Sequence, residues 1–185
     1  MVELMSLWLP ILVAAVLVLV VSSITHMVIP LHKGDYAKLP GESKIMEAVR
    51  NENVGQGDYM MPHCTGKDMQ SEEMTKKFGQ GPTAFITVLP PGPPAIGKSL
   101  VLWFFYTIVV GVFVAYIASR TLDPGTHYLQ VFRVTGAVAF TAHALPNFVA
   151  SIWKGQKWST SFKFAFDGLL YSLVTAGAFG WLWPE

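Results

Sequence analysis

The chain has few charged residues: Asp, Glu, Lys and Arg make up only 14% of its 185 residues. Soluble domains carry about 25% charged residues. This deficit, together with 52% hydrophobic residues and a mean hydropathy of +0.42, predicts a membrane protein whose main partner is the lipid bilayer. The formal net charge of +1 lacks the basic excess of nucleic-acid-binding proteins, so we expect no nucleic-acid partner.

Cysteine and recognisable catalytic motifs are also scarce. The single cysteine, Cys64, has no second cysteine with which to form an internal disulfide. The cysteine content therefore does not indicate whether the protein resides in an oxidising or a reducing compartment. The sequence contains no phosphate-binding loop, HExxH motif, GxSxG motif or paired-carboxylate motif. These absences favour a non-catalytic protein over an enzyme, and they do not decide between the two.

What the chain has instead is four long apolar stretches. A transmembrane helix takes about 20 predominantly apolar residues. We predict such helices at residues 7–27, 100–119, 128–153 and 162–183. Every tryptophan falls near the end of one of these stretches, where amphipathic rings contact the membrane interface. The predicted fold is therefore an all-α membrane protein with four transmembrane helices, the first within residues 1–30 and the other three within 98–185.

The distribution of Lys and Arg predicts how these helices are oriented. Basic residues concentrate in the loops after the first and third helices, and Arg120 is the only one outside the membrane on the opposite side. An excess of basic residues marks the cytoplasmic loops of membrane proteins. We therefore expect a multi-pass membrane protein, with loops 31–97 and 154–161 in the cytoplasm and both termini outside.

Residues 31–97 form a segment that is too long for an ordinary connection between helices. Its basic residues are matched by acidic ones, and its apolar residues recur with helical or strand periods. Residues 42–53 and 68–78 are predicted as short amphipathic helices, and residues 58–61 and 84–89 as strands. We expect a small α+β cap on the cytoplasmic face, between the first two transmembrane helices.

Four runs of sequence carry a resemblance to a known family: GDYMMPHC, GPTAFITVLPPGPPAIGK, VAYIASRTLDPGTHYLQVFRVTG and IWKGQKWSTSFKFAFDGLLYSLVTAGAFGWLWP. Nearly the whole chain resembles a family of small, uncharacterised bacterial integral-membrane proteins. The resemblance implies four transmembrane helices in a bacterial inner membrane, and it implies no activity.

The strongest candidate site is a layer of polar side chains in the cytoplasmic half of the predicted bundle. His26 ends the first helix, His143 and Asn147 lie one turn apart on the third, and Asp167 lies near the cytoplasmic start of the fourth. Ionisable and amide groups are costly in hydrocarbon, so they face a protein interior or a polar cavity. His26, His143 and Asp167 could bind a divalent metal ion or relay protons.

The alternative is that these polar side chains only stabilise the packing of the helices, and the sequence favours this interpretation. Asp167 would pair with Lys163 one turn earlier, His26 would reach the lipid headgroups, and Asn147 would hydrogen-bond between helices. Arg133 lies too far from the depth of Asp167 for a direct pair, and we expect it near the outer surface.

A face of small residues runs along the fourth predicted helix at every fourth position: Gly168, Ser172, Ala176 and Gly180. Small residues at this spacing allow another helix to approach closely. The partner is either the third helix of the same chain or a helix of another subunit. We expect a homo-oligomer or a complex with another membrane protein.

The segment from Met60 to Cys64 combines thioether, imidazole and thiol side chains, His63 among them. Such soft ligands suit Cu(I). No second cysteine or nearby histidine completes a recognised ligand spacing, and methionine is an ordinary packing residue on short amphipathic elements. A metal site at His63 and Cys64 is therefore the less favoured interpretation.

Packing patterns outnumber the patterns that indicate chemistry. The leading hypothesis is therefore a non-catalytic accessory, assembly or stabilising subunit that needs no cofactor. The second hypothesis is a metal-binding, haem-binding or redox membrane protein that uses the polar layer. A small transporter or channel comes third, because few ionisable residues lie within the predicted helices.

Overall fold

Helices make up most of the computed structural model, which describes all residues 1–185. Two short antiparallel strands form the only sheet, so the predicted combination of many helices with a small sheet is confirmed. The chain divides into two units, one formed by Met1–Tyr36 with Ala95–Glu185 and the other by Ala37–Pro94. The elements in chain order are α1 (Trp8–Ser23), α2 (Glu42–Asn51), β1 (Gly57–Met61), α3 (Glu72–Gln80), β2 (Ala84–Val88), α4 (Ile96–Thr121), α5 (Tyr128–His143), α6 (Phe148–Lys154) and α7 (Trp158–Trp181).

Four long helices pack together in the first unit. Helix α1 contacts α4 and α7, and helix α5 also contacts α4 and α7, so each helix has two neighbours. The apolar core between them includes Leu7, Ala14, Val114, Val131 and Phe179. These side chains pack the four helices against one another.

Two helical segments are long and apolar enough to cross a membrane, namely Leu4–Val28 and Ile96–Thr121. The core helix of a soluble protein and an N-terminal signal sequence meet the same criterion of length and composition. These two segments are therefore weak evidence for a membrane protein. Only 33% and 28% of their most apolar windows are buried inside the structure, so most of their apolar surface has no protein cover.

The third apolar stretch is interrupted, although the sequence predicted one continuous helix over 128–153. Helix α5 ends at His143, a 3-10 turn spans Leu145–Asn147, and α6 follows. Pro146 explains the break, because proline has no N–H and its ring clashes with the carbonyl four residues earlier. That carbonyl, on Ala142, accepts a hydrogen bond of 3.4 Å from the Tyr106 hydroxyl instead.

The turn between α6 and α7 sets the start of the last helix. Gly155 has a φ of +67°, the left-handed conformation with which many helices end. The Gln156 N–H donates to the Ala150 carbonyl at 3.3 Å across this turn. Helix α7 then starts at Trp158, one turn earlier than predicted, and its last turn carries Trp181.

The small-residue face of α7 packs against α5 of the same chain. A Cβ atom added to Gly168 would lie 2.5 Å from the His143 carbonyl oxygen and 2.6 Å from the Ala144 Cα. A Cβ atom added to Gly180 would lie 2.7 Å from the ring of Tyr128. Of the two partners that the sequence left open, the structure therefore shows the third helix of the same chain.

The second unit, Ala37–Pro94, contains α2, α3 and the β1–β2 pair, close to the predicted elements. The strands pair with Tyr59 opposite Ile86 and Met61 opposite Ala84. The Ser71 hydroxyl accepts from the Met74 N–H at 3.2 Å and caps α3. Met74 is the only hydrophobic side chain of this unit that is buried, so its core is small.

Candidate metal centre

Asp167 is the most deeply buried charged side chain of the chain, with 1% of its surface exposed. It lies in α7, one turn after Lys163, on the face that packs into the bundle. Its Oδ2 atom lies 2.8 Å from His32 Nε2 and 3.4 Å from His26 Nε2, while its Oδ1 atom has no hydrogen-bond partner. Burying a carboxylate without full pairing costs free energy, so a bound cation or further hydrogen-bond donors would stabilise this side chain.

A π turn places His26 beside this carboxylate. Helix α1 continues into a π turn over Ile24–Val28, in which the Ile29 N–H donates to the Ile24 carbonyl at 3.0 Å. The extra residue in such a turn rotates the following side chains relative to a regular α-helix, and π turns are frequent at functional sites. The His26 side chain remains 38% exposed, so one side of the site is open.

His32 reaches the site from the short 3-10 turn Pro30–His32. Pro30 starts this turn, and its fixed φ and missing N–H suit a first helical position. The His32 ring stacks on the His26 ring with centroids 4.3 Å apart, and Phe164 packs against His32 at 4.9 Å. The two Nε2 atoms therefore face Asp167 side by side.

Asp35 and Lys163 form a second layer behind His32. Asp35 Oδ2 lies 2.6 Å from His32 Nδ1, and Lys163 Nζ donates to Asp35 Oδ1 at 2.7 Å. The hydrogen bond from Lys163 is the main reason why the pKa of the Asp35 carboxyl lies below its ordinary value, and His32 adds to the effect. Asp35 is therefore an ionised acceptor at neutral pH.

The two contacts of His32 restrict its protonation. A neutral imidazole donates one N–H only, and an ionised carboxylate donates none. His32 donates to Asp35 and Asp167 together only as an imidazolium. When the ring is neutral with its proton on Nδ1, the Asp35 contact is kept and Nε2 presents a lone pair toward Asp167 and His26.

The donor set fits a divalent transition metal ion. The candidate ligand atoms of His26, His32 and Asp167 all lie within 4.8 Å of one another. Two ligand atoms of a tetrahedral site with bonds of about 2.1 Å are about 3.4 Å apart. The separation of 3.4 Å between Asp167 Oδ2 and His26 Nε2 matches that value, and the separation of 2.8 Å from Asp167 Oδ2 to His32 Nε2 is a hydrogen-bond distance that must widen when an ion enters. The three side chains leave further coordination positions for water or another molecule.

His143, which the sequence grouped with His26 and Asp167, lies outside this set of three ligands. Its carbonyl faces Gly168, but its ring packs among the aromatic rings of Trp103, Tyr106 and Tyr171 at centroid distances of 6.2, 6.0 and 5.8 Å. Its Nδ1 is buried without a hydrogen-bond partner. The structure therefore joins two of the three predicted ligands and replaces the third by His32.

The remaining candidate residues have other surroundings. Asn147 donates to the carbonyls of His143 at 2.7 Å and Phe164 at 3.5 Å, and so links α5 to α7 as expected for a structural amide. Arg133 is exposed on α5. Lys163 pairs with Asp35, so the expected pair between Lys163 and Asp167 is wrong.

In the second unit, His63 is exposed and Cys64 is half-buried. Neither residue belongs to a group of three candidate metal ligands. The structure gives no observation that supports a Cu(I) site in this segment, which stays the less favoured prediction.

The sequence interpretation did not single out His32 and Asp35, which lie at the start of the segment 31–97. Their only sequence signal is the H-x-x-D spacing directly after an apolar helix, matched by the K-x-x-x-D spacing of Lys163 and Asp167 in α7. Each spacing alone is common. Their significance comes from the pairing across 135 positions between His32 and Asp167, which only the fold reveals.

Comparison with protein-family models, curated protein sequences and solved structures finds no match. The resemblance to small bacterial integral-membrane proteins therefore stays a prediction, and the geometry of the site carries the functional argument.

Proposed function

We propose that this protein binds a divalent transition metal ion through His26 Nε2, His32 Nε2 and the Asp167 carboxylate. The observation that carries the proposal is the Asp167 side chain. It is 1% exposed, one of its oxygens faces two imidazole nitrogens, and the other oxygen has no partner. A metal ion would compensate the buried negative charge and use the lone pairs of both rings.

The ligand types narrow the choice of metal. Two imidazole nitrogens and one carboxylate oxygen suit Zn²⁺, Fe²⁺ and related ions, whereas Cu(I) prefers sulfur and Mg²⁺ or Ca²⁺ prefer all-oxygen sites. Three protein ligands with further positions for water are typical of catalytic metal sites, while structural zinc sites have four protein ligands. The proposed function is therefore metal-dependent chemistry or metal handling rather than metal-assisted folding.

The outward apolar surface of the helical unit supports a membrane protein with four transmembrane helices. Large apolar side chains of the helical unit face outward, among them Phe105 at 59% exposure and Phe113 at 62%. Monomeric soluble proteins rarely leave apolar patches of more than a few hundred Å² uncovered, so lipid is the natural cover for this surface. In this proposal the helices lie in a bacterial inner membrane with both termini in the periplasm.

An accessory-subunit function has less support from the structure. The small-residue face of α7, which motivated it, is already occupied by α5 of the same chain. A homo-oligomer or a membrane-protein partner would have to use the outward apolar surface of the helical unit instead. Native mass in mild detergent tests this separately, because the metal site is built from one chain.

Metal titration of the full chain in detergent tests the proposal. The native protein is expected to bind one Zn²⁺ or Co²⁺ ion per chain, and Asp167→Asn is expected to lose this binding. Asp58→Asn is the matched control, because Asp58 is exposed and hydrogen-bonds only to Thr87. Absence of binding to the native protein, or equal binding to Asp167→Asn, would contradict the proposal.

The single cysteine allows a test of the proposed orientation. Cys64 is half-buried in the Ala37–Pro94 unit, which the proposal places in the cytoplasm. A membrane-impermeant maleimide should label Cys64 in inverted inner-membrane vesicles and not in intact spheroplasts. Labelling of Cys64 in intact spheroplasts would show the opposite orientation.

A further inference from the structure

Two short sequence spacings interlock at the site. His32 and Asp35 lie three positions apart in the loop after α1, and Lys163 and Asp167 lie four positions apart in α7. The pairing is reciprocal, because His32 contacts Asp167 at 2.8 Å while Asp35 contacts Lys163 at 2.7 Å. A direct contact of 2.6 Å between His32 and Asp35 joins the two pairs into one network.

Asp35 is placed to control which nitrogen of His32 faces the site. Its side chain is only 2% exposed, so water does not compete effectively for its oxygens. A carboxylate that accepts the Nδ1–H of a histidine fixes the tautomer, holds the ring plane and makes Nε2 a stronger ligand. The direction of the contact is the one that such an outer carboxylate requires, since Nε2 points to Asp167.

We propose that Asp35 is the positioning residue of the metal site, acting through His32. The inference rests on the proposed metal binding, which it deepens by assigning a second layer to the site. Loss of such an outer partner lowers metal affinity by about 10- to 100-fold in other sites of this kind.

A simple tether is the competing explanation. Asp35 also attaches the loop after α1 to α7 through Lys163, so its removal could weaken binding by loosening the loop. Lys163→Met separates the two explanations. It breaks the tether between the loop and α7, and it leaves the Asp35 carboxylate able to accept a hydrogen bond from the His32 Nδ1–H. A positioning role predicts a much smaller loss of affinity for Lys163→Met than for Asp35→Ala, whereas a tether predicts equal losses.

The test measures Zn²⁺ affinity by chelator competition in the full chain, together with the visible spectrum of the Co²⁺ form. Asp35→Ala should weaken affinity by about 10- to 100-fold and alter the Co²⁺ spectrum. Asp35→Asn should lose less, because its amide oxygen can still accept, and Asp35→Glu should recover part of the affinity. Lys77→Met is the control for the removed charge, since Lys77 forms an exposed pair with Glu73 at 2.7 Å.

Each outcome decides the inference. Weakened binding in Asp35→Ala with nearly native binding in Lys163→Met supports positioning. Unchanged affinity in Asp35→Ala, or equal losses in Asp35→Ala and Lys163→Met, would overturn it and leave metal binding itself intact. Absence of binding to the native protein would overturn both the inference and the proposed function.

Discussion

Two regions of the chain combine histidine with other potential metal ligands, and the structure arranges them differently. In the helical unit, His26 and His32 converge on the buried Asp167 from distant parts of the sequence. In the Ala37–Pro94 unit, His63 and Cys64 are adjacent in sequence, one exposed and one half-buried, and belong to no group of three ligands. Adjacency in sequence thus does not bring three candidate ligands together in this chain, whereas helix packing does.

The physical reason lies in how each region is held. The helical unit has an extended apolar core and a buried carboxylate, which restrict the positions of the candidate ligands. The other unit buries a single hydrophobic side chain, Met74, and therefore has less packing to restrict its side chains. A preorganised ligand set loses less conformational entropy when it binds, which is why metal affinity should differ sharply between the two regions.

The largest expected effect comes from removing ligands in the two regions in turn. Either His26→Ala or His32→Ala should reduce Zn²⁺ affinity by at least about 100-fold, because two protein ligands hold the ion far less well than three. The double variant His63→Ala with Cys64→Ala should bind as tightly as the native protein. Chelator competition measures the Zn²⁺ affinity of all three variants. A loss of affinity confined to the His63 and Cys64 variant would place the metal site in the Ala37–Pro94 unit instead.

The next effect concerns the packing that holds the ligands. Gly168→Ala places a methyl group 2.5–2.6 Å from backbone atoms of His143 and Ala144, which cannot move aside as a side chain would. Overpacking of this kind typically costs about 1–3 kcal/mol. Thermal unfolding in detergent should show the loss, and Zn²⁺ affinity should fall with it.

Gly177→Ala is the matched control in the same helix. A Cβ atom at Gly177 meets only the Tyr128 hydroxyl, at 3.9 Å. This substitution should change the free energy of unfolding by less than about 0.5 kcal/mol or increase it slightly, because alanine favours helix more than glycine does. Equal destabilisation by both substitutions would show that the close approach at Gly168 is not special.

A smaller effect is expected from pH in the metal-free protein. The pKa of Asp35 is lowered in the folded state, mainly by the hydrogen bond from Lys163. This contribution to stability is therefore fully present above the unfolded value of about 3.9 and is lost as the pH falls through the folded value. The Tm difference between native protein and Lys163→Met should be constant near neutral pH and shrink below about pH 4.

The exposed ion pair between Lys77 and Glu73 provides the comparison for this pH dependence. Lys77→Met should change Tm little at any pH, because exposed ion pairs contribute only about 0–1 kcal/mol. A Tm difference of Lys163→Met that does not vary with pH would contradict the role given to the Asp35 charge.

The smallest effect on metal binding is expected from Met74→Ala. Met74 is the single buried hydrophobic residue of the Ala37–Pro94 unit. Its truncation should destabilise that unit by about 2 kcal/mol, seen as faster amide hydrogen exchange in β1, β2 and α3. Exchange in α1 and α7 and the Zn²⁺ affinity should stay unchanged; a reduced affinity would show that the two units are coupled.

The sequence predicted a large part of the fold and part of the site. Apolar length and periodicity were sufficient for the helices and for the short strands, because these signals are local. His26 and Asp167 could be singled out, since buried ionisable residues on apolar helices are rare. The effect of Pro146 depends on whether neighbouring donors compensate the break, and the end of α5 at His143 could therefore not be read from the sequence.

His32 and Asp35 could not be recognised, because nothing local distinguishes them from a solvated turn. Their role depends on the π turn at Ile24–Val28 and on the contact of the loop with α7, both of which are properties of the packed chain. For the same reason, the sequence could not show that the His143 ring lies outside the group formed by His26, His32 and Asp167. Similar predicted depth does not determine toward which neighbours a ring points.

The metal content of the protein as isolated from the cells that produce it tests the central claim most directly. Native protein and Asp167→Asn would be extracted gently, purified without chelators and analysed by elemental mass spectrometry beside Asp58→Asn. The account predicts one transition metal ion per chain in native protein and in Asp58→Asn, and none in Asp167→Asn. A native protein without metal, or equal metal in all three, would contradict it.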